Sequence, residues 1–245
     1  IKSKDMYFAN PEKFKHFKKV FDEIKGMSVS KNYYETNLFN IEEILSILEM
    51  GKHLENKKLK SSFLQYIKDV VEFYTPTIDQ PQGRPGNWDD LVFGGGLYEK
   101  YGRFVGSLLS LEIIEKMRDE SNREVRQFHL VKNDSQNVRY SIISLNYDLI
   151  PEKFAGVLDR SIFTSKPDAF CFQRADNSNC LSDVNSTILA KLHGSIDTNT
   201  IIPPTWNKGV HKNAVGVWKA AYKILVEASQ IRFIGYSLPI ADSYV

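Results

Sequence analysis

Residues 140–148 read YSIISLNYD, and residues 187–194 read TILAKLHG. Each stretch begins with a short apolar run rich in β-forming residues and ends in a polar turn, the first at Asn146 and Asp148, the second at His193. Residues 231–237, IRFIGYS, repeat the arrangement, and the apolar spacing across 212–228 predicts a helix before them. Short apolar strands that alternate with helices favour a parallel sheet covered by helices. We therefore predict an α/β fold.

The polar residues that follow the three predicted strands are candidates for one site. Ligands of open parallel sheets bind outside the carboxyl ends of the strands, so Asn146, Asp148, His193 and Ser237 are expected on one rim. Each turn taken alone is a weak indication, because Asn and Asp in turns usually bond to nearby backbone and a histidine there is more often structural. Three such turns in chain order favour a functional interpretation.

The first half of the chain is predicted to be mainly helical. One helix is expected from Asn10-Pro11 to Gly26. Apolar residues also repeat at helical spacing across 40–48, 63–74 and 104–114. Residues 75–88 are rich in proline and glycine, which predicts a loop. We assign residues 1–135 to a mainly helical subdomain and residues 136–245 to the half that carries the sheet.

The composition excludes several classes of protein. The chain has 245 residues, of which 42% are hydrophobic and 25% charged, and its net charge is +2. This is a globular composition without the basic block of a nucleic-acid-binding protein. No apolar run reaches the roughly 18–20 residues that span a bilayer, and no signal peptide is evident. Cys171 and Cys180 are expected to be ordinary thiols. We predict a cytoplasmic protein that binds neither nucleic acid nor membrane.

The three turns resemble signatures of the sirtuin-like NAD-consuming domains, in particular the prokaryotic type found in defence proteins. Residues 144–148 (SLNYD), 191–196 (KLHGSI), 202–206 (IPPTW) and 235–238 (GYSL) are similar to that family's segments and stand in its order. The resemblance covers roughly residues 140–245, and over the helical half it is only general. It implies a Rossmann-like parallel sheet with an inserted helical subdomain.

The same resemblance assigns roles to the residues of these turns. Asn146 would orient the ribose and the attacking water, since a carboxamide donates and accepts at once. His193 would act as general base, and Asp148 would hold the loop and the nicotinamide side of the pocket. The residues implied to bind NAD are Ser144, Leu145, Asn146, Asp148, Gly194, Gly235, Tyr236 and Ser237.

Two parts of the family pattern are not found in the sequence. The first glycine-rich nucleotide turn does not precede the helical half, and the similar spacing of Gly94 to Gly96 with Gly102 is expected to be a helix lead-in instead. Both ends of the chain look cut, so we expect that turn ahead of Ile1, and weak NAD binding by these residues alone. The two Cys-x-x-Cys pairs that bind zinc in sirtuin deacylases cannot form from two cysteines, so no metal is expected.

The predicted function is NAD hydrolysis, which releases nicotinamide and leaves ADP-ribose or cyclic ADP-ribose. The chain would be an effector domain of a defence protein, with further domains of a longer chain or a second copy as partners. Two alternatives stay open. One is an NAD-dependent protein deacylase or ADP-ribosyltransferase, which a peptide channel beside Asn146 and His193 would favour. The other is a non-catalytic domain that senses NAD or ADP-ribose.

Overall fold

The computed structural model describes residues 2–34, 57–78, 96–118, 121–133, 138–162, 172–175, 187–198, 201–202 and 212–236. Its α-helices are α1 (Lys2–Ala9), α2 (Lys15–Tyr34), α3 (Lys57–Tyr74), α4 (Arg103–Leu108), α5 (Ile150–Ile162) and α6 (Lys212–Glu227). Its strands are β1 (Leu111–Arg118), β2 (Glu124–Lys132), β3 (Ser141–Ser144), β4 (Gln173–Arg174) and β5 (Ile188–Lys191). A π-helical segment, Tyr98–Gly102, leads directly into α4. None of the described helices is long and apolar enough to cross a membrane.

Strands β3, β5 and β4 form a parallel sheet in that order, with β5 in the middle. Successive side chains of a strand point to opposite faces. Leu189 accordingly belongs to the core that contains the buried face of α5, whereas Ile188 and Ala190 pack with α6. The predicted α/β fold, a parallel sheet covered by helices, is confirmed, and the described strands close no barrel. The polar strand β4 had no signal in the sequence.

An antiparallel hairpin adds to the core on the α5 side of the sheet. β1 and β2 pair from Leu111↔Lys132 to Arg118↔Glu124. The buried residues Leu111, Phe128 and Leu130 of this hairpin join the same cluster as Leu189 of β5. The hairpin therefore supports the helix that begins at the candidate site, α5.

The prediction of one helix across residues 104–114 is wrong beyond Leu108. Ser110 has φ of +59°, a left-handed conformation that ends helices, and Ile113 and Ile114 lie in β1. The apolar spacing fits both structures, because Leu109 and Ile113 are four apart while Leu111 and Ile113 alternate.

The glycine-rich stretch before α4 behaves as predicted where the structure describes it. Gly96 has φ of +58° and stands at the first turn of the helical stretch that runs into α4. Gly102 is buried and belongs to the π-helical segment. The predicted helix lead-in is confirmed for these two glycines, and Gly94 and Gly95 lie outside the described residues.

In the amino-terminal part, α2 and α3 pack against each other. Val20, Phe63 and Ile67 form a buried cluster that also contains Ile201 from the sheet half. The helix predicted across residues 63–74 is confirmed and lies within α3. The predicted helix across 40–48 lies outside the described residues, as does most of the predicted loop after Thr75.

Two predicted helix ends in this part differ from the structure. Asn10-Pro11 marks the break between α1 and α2, and α2 itself begins at Lys15. The helix α2 then continues through Gly26, where we expected its end. A glycine inside a helix costs only about 1 kcal/mol relative to alanine, so packing of the flanking turns can override it.

The segment after α6 also differs from the prediction. The helix predicted across 212–228 is confirmed as α6, but residues 231–234 belong to neither sheet of the described chain. Ile231, Phe233 and Ile234 are 54%, 72% and 70% exposed. The predicted buried strand is therefore wrong for this structure, because no described strand pairs with it and strand stability depends on such pairing and burial.

Candidate functional site

The turns that follow β3 and β5 lie side by side at the carboxyl edge of the sheet. Where the strands end, the N–H of Leu192 donates to the carbonyl of Ser144 at 3.0 Å. Further out, the N–H of Ile196 donates to the carbonyl of Tyr147, also at 3.0 Å. The structure therefore brings together two of the three turns that the sequence predicted to form the site.

His193 is buried beside Tyr147. The residue is 4% exposed, and its ring centroid lies 6.2 Å from that of Tyr147. Its carbonyl accepts the N–H of Ile202 at 2.8 Å, and the Tyr147 hydroxyl donates to the carbonyl of Ile202 at 3.2 Å. The next residue, Gly194, has φ of +78° and forms a β-bridge with Ile201. The imidazole of His193 thus lies at the sheet edge and is shielded from bulk water.

Asn146 is exposed at the tip of the first turn. Its N–H donates to the Oγ of Ser144 at 3.2 Å. Leu145 is half-buried and packs against the apolar cluster formed with α6. Ser144 and Leu145, both predicted to bind a cofactor, thus contribute to the shape and anchoring of the turn, while Asn146 remains accessible to a ligand.

Asp148 caps the start of α5. Its Oδ1 accepts the N–H of Ile150 at 3.0 Å, which satisfies one of the backbone donors left open at a helix start. The helix then begins with the N–H of Lys153 donating to the carbonyl of Leu149 at 2.9 Å. Two roles are expected for Asp148. The hydrogen bond to Ile150 is consistent with one of them, holding the loop.

Lys191 and Glu152 form a buried ion pair directly behind this turn, which the sequence analysis missed. The Lys191 Nζ lies 3.1 Å from the Glu152 Oε1, and the side chains are 4% and 18% exposed. The same Nζ donates to the backbone carbonyl of Asp148. One signal was present in the sequence, because a lysine in an otherwise apolar strand is rarely buried without a partner.

A second ion pair lies beside the other turn. The Arg174 guanidinium, at the carboxyl end of β4, is 2.6 Å from the Asp197 carboxylate. Burial alone would raise the pKa of Asp197, but hydrogen bonds from Ser195, Arg174 and the Thr198 N–H, together with the charge of Arg174, outweigh it and lower that pKa. Asp197 is therefore ionised at neutral pH and ties the end of the second turn to β4.

The third predicted turn is described only up to Tyr236. Gly235 has φ of +64° and is exposed, and a Cβ placed there would meet no atom within 4 Å. Glycine is therefore required by the backbone conformation and not by crowding. The Tyr236 ring is half-buried and stacks on Phe233 at 6.5 Å. Ser237 and the Pro-rich stretch 203–206 lie outside the described residues.

No group of three or more His, Cys, Asp or Glu side chains in the described ranges is placed to hold a metal ion. Cys171 and Cys180 lie outside those ranges. No protein-family model, no curated protein and no solved structure matches this chain. The site itself consists of an exposed carboxamide, Asn146, and a buried imidazole, His193, on two hydrogen-bonded turns at the edge of a parallel sheet.

Proposed function

We propose that this chain is a sirtuin-like, Rossmann-type domain that hydrolyses NAD at the rim formed by the turns after β3 and β5. One observation carries the proposal. The exposed Asn146 and the buried His193 stand on neighbouring turns whose backbones are hydrogen-bonded to each other. Ligands of open parallel sheets bind at this edge, and the sequence resemblance supplies NAD as the ligand.

The reaction would break the bond between the ribose C1′ and the nicotinamide N1. The electron pair of that bond goes to N1, so nicotinamide leaves as a neutral molecule. The oxygen of a water molecule bonds to C1′ and gives ADP-ribose, and one proton passes to solvent. Asn146 would orient the water and a ribose hydroxyl, since its carboxamide can donate and accept. His193 would take the proton as general base.

The remaining residues of the rim would hold and shape the pocket. Asp148 caps α5 and so fixes the far side of the Asn146 turn. Gly194 and Gly235, both at positive φ, would let the backbone approach the ribose or the phosphates. Tyr236 and Ser237 would complete the cofactor contacts. No metal takes part in this scheme.

The biological role that accompanies this proposal is that of an effector in a prokaryotic defence protein of the cytoplasm. Depletion of NAD would be triggered through further domains of a longer chain or through a second copy. The resemblance of the turns to the defence-associated family supports this role.

The test is to measure nicotinamide and ADP-ribose by mass spectrometry after incubation with NAD. Two forms are compared, this chain and the full-length product of its gene. In the form that releases nicotinamide, Asn146→Ala should lower the rate by about 10²–10⁴-fold, whereas Asn10→Ala, at an exposed asparagine between α1 and α2, should not.

Three outcomes would replace the proposal. Consumption of an acyl-lysine peptide together with NAD would favour a deacylase. Tight binding of NAD without turnover by either form would favour a sensor domain. Absence of both binding and turnover, or full turnover by Asn146→Ala, would remove NAD chemistry from this rim altogether.

A further inference from the structure

Lys191 is a charged residue in the most buried strand of the sheet. It ends β5, and all four residues of that strand are buried. Removing an ammonium group from water is costly unless it is paired and hydrogen-bonded. A leucine or methionine would fill the same position without that cost. The presence of lysine therefore calls for a task that an apolar side chain cannot perform.

The partners of the Lys191 ammonium point to that task. It reaches the Glu152 carboxylate at 3.1 Å in the first turn of α5 and donates to the backbone carbonyl of Asp148. The other Glu152 oxygen, Oε2, is buried and has no hydrogen-bond partner among the described residues. The lysine of this ion pair thus binds the Asp148 carbonyl where the end of β5 meets the turn that leads from β3 to α5.

The preceding carbonyl of the same turn, that of Tyr147, is held by the turn that follows β5. The carbonyl of Tyr147 accepts the N–H of Ile196 at 3.0 Å. Two consecutive carbonyls, those of Tyr147 and Asp148, are therefore fixed by residues in or just after β5. Asn146, the exposed residue that precedes them, is thus directly followed in the chain by two anchored carbonyls.

We infer that Lys191 is a positioning residue that sets the place of the Asn146 carboxamide through the Asp148 carbonyl. The inference rests on the proposed NAD-hydrolysing function for its effect on rate, but not for its effect on the turn. Lys191 itself touches no substrate. Its removal should lower kcat and leave KM for NAD nearly unchanged, because a small misplacement of a reacting group slows the chemical step more than it weakens binding.

The decisive variant replaces the whole ion pair, Lys191→Met together with Glu152→Leu. Replacing a buried ion pair by apolar residues of similar volume is often neutral for stability, whereas removing one partner leaves a buried charge. The double variant should therefore stay folded and lose only the anchor of the Asp148 carbonyl. Lys153→Met, at the exposed lysine on the same helix, is the matched control.

Two readouts are measured on the folded variants. In the form that releases nicotinamide, the double variant should lose about 10- to 100-fold in kcat with KM within about twofold, and Lys153→Met should behave as the unmodified chain. Amide hydrogen exchange followed by NMR should become faster at Ile150 and Ile196, whose N–H groups donate into the turn. Unchanged kcat and unchanged exchange in the folded double variant would overturn the inference.

Failure of the proposed function can be told apart from failure of this inference. If the unmodified chain releases no nicotinamide in either form, NAD hydrolysis is lost, and Lys191 is judged by exchange alone. Faster exchange confined to the turn then supports its positioning role. Exchange that stays the same contradicts that role whether or not NAD is hydrolysed.

Discussion

The turns after β3 and β5 differ from the segment after α6 in how firmly they are held. The first two are joined by backbone hydrogen bonds and rest on the buried Leu192 and the Lys191–Glu152 pair. Residues 231–234 carry an equally apolar sequence, yet they lie outside both sheets and expose Phe233 and Ile234 to solvent. Among the runs predicted as apolar strands, those at β3 and β5 are paired with a neighbouring strand, whereas residues 231–234 have no described partner and are exposed.

This contrast bears directly on the chemistry. Groups that act on a reacting bond work best when their geometry is set before the ligand arrives. In the proposed reaction, Asn146 and His193 would act from turns whose backbones are hydrogen-bonded to each other. Gly235 and Tyr236 follow a segment that pairs with no described strand.

The largest effect is expected at His193. His193→Ala should lower the rate of nicotinamide release by about 10²–10⁴-fold, because it removes the proposed general base. His129→Ala, at a histidine of β2 in the hairpin, is the matched control and should retain the rate. Measurement of the initial rates of both variants decides the matter, and equal losses in the two would contradict the role of His193.

The packing difference should appear as a difference in stability. Leu192 is 2% exposed beneath the two held turns, and Leu192→Ala should lower the free energy of unfolding by about 2–5 kcal/mol. Ile234 is 70% exposed, and Ile234→Ala should change it by no more than about 0.5 kcal/mol. Urea unfolding of both variants tests this. A large loss for Ile234→Ala would mean that residues 231–234 are buried in solution.

The cap of α5 should have a smaller effect. Asp148→Ala removes the acceptor of the Ile150 N–H and should lower the free energy of unfolding by about 0.5–2 kcal/mol. Asp148→Asn keeps an acceptor oxygen and should retain most of that stability. If the two variants are equally destabilised in urea, the carboxylate acts through its charge and not through the cap.

The smallest effect should depend on pH. The folded-state pKa of Asp197 lies below its ordinary value, so its stabilising contribution is complete above the unfolded-state pKa of about 4 and is lost as the pH falls through the folded-state pKa. The pair with Arg174 is partly exposed, which keeps the contribution small. Asp197→Asn should therefore be less stable than the unmodified chain at pH 7, and the difference should shrink toward pH 3. Urea midpoints that differ by the same amount at both pH values would contradict this.

Much of the fold could be predicted from local sequence signals. The runs at 141–144 and 188–191 are short, apolar and followed by polar turns, and these properties are local. The helix α6 is likewise predicted by a local signal, the spacing of its apolar residues. The positions of Asn146 and His193 on one edge then follow from the rule for parallel strands.

The remaining features depend on contacts that a linear pattern does not contain. Ile113 fits both a helix and a strand until the conformation of Ser110 and the pairing with β2 decide. Residues 231–234 have the composition of a strand but lack a described partner. Lys191 meets Glu152 only because β5 packs on α5, 39 residues away in sequence.

Tyr147 connects the candidate site with the helices α2 and α3. Its ring packs against the cluster that α2 and α3 build with Ile201, and its two chain neighbours are Asn146 and Asp148. Consider a ligand that binds at α2 and α3 and favours one arrangement of the Tyr147 ring. Because Asn146 and Asp148 are the chain neighbours of Tyr147, that ligand would change the affinity of the rim for a second ligand. Thermodynamic linkage requires the reverse effect to be equally large, so that a tenfold change at one place is a tenfold change at the other. Binding at α2 and α3 and binding at the rim would then be coupled through the Tyr147 ring.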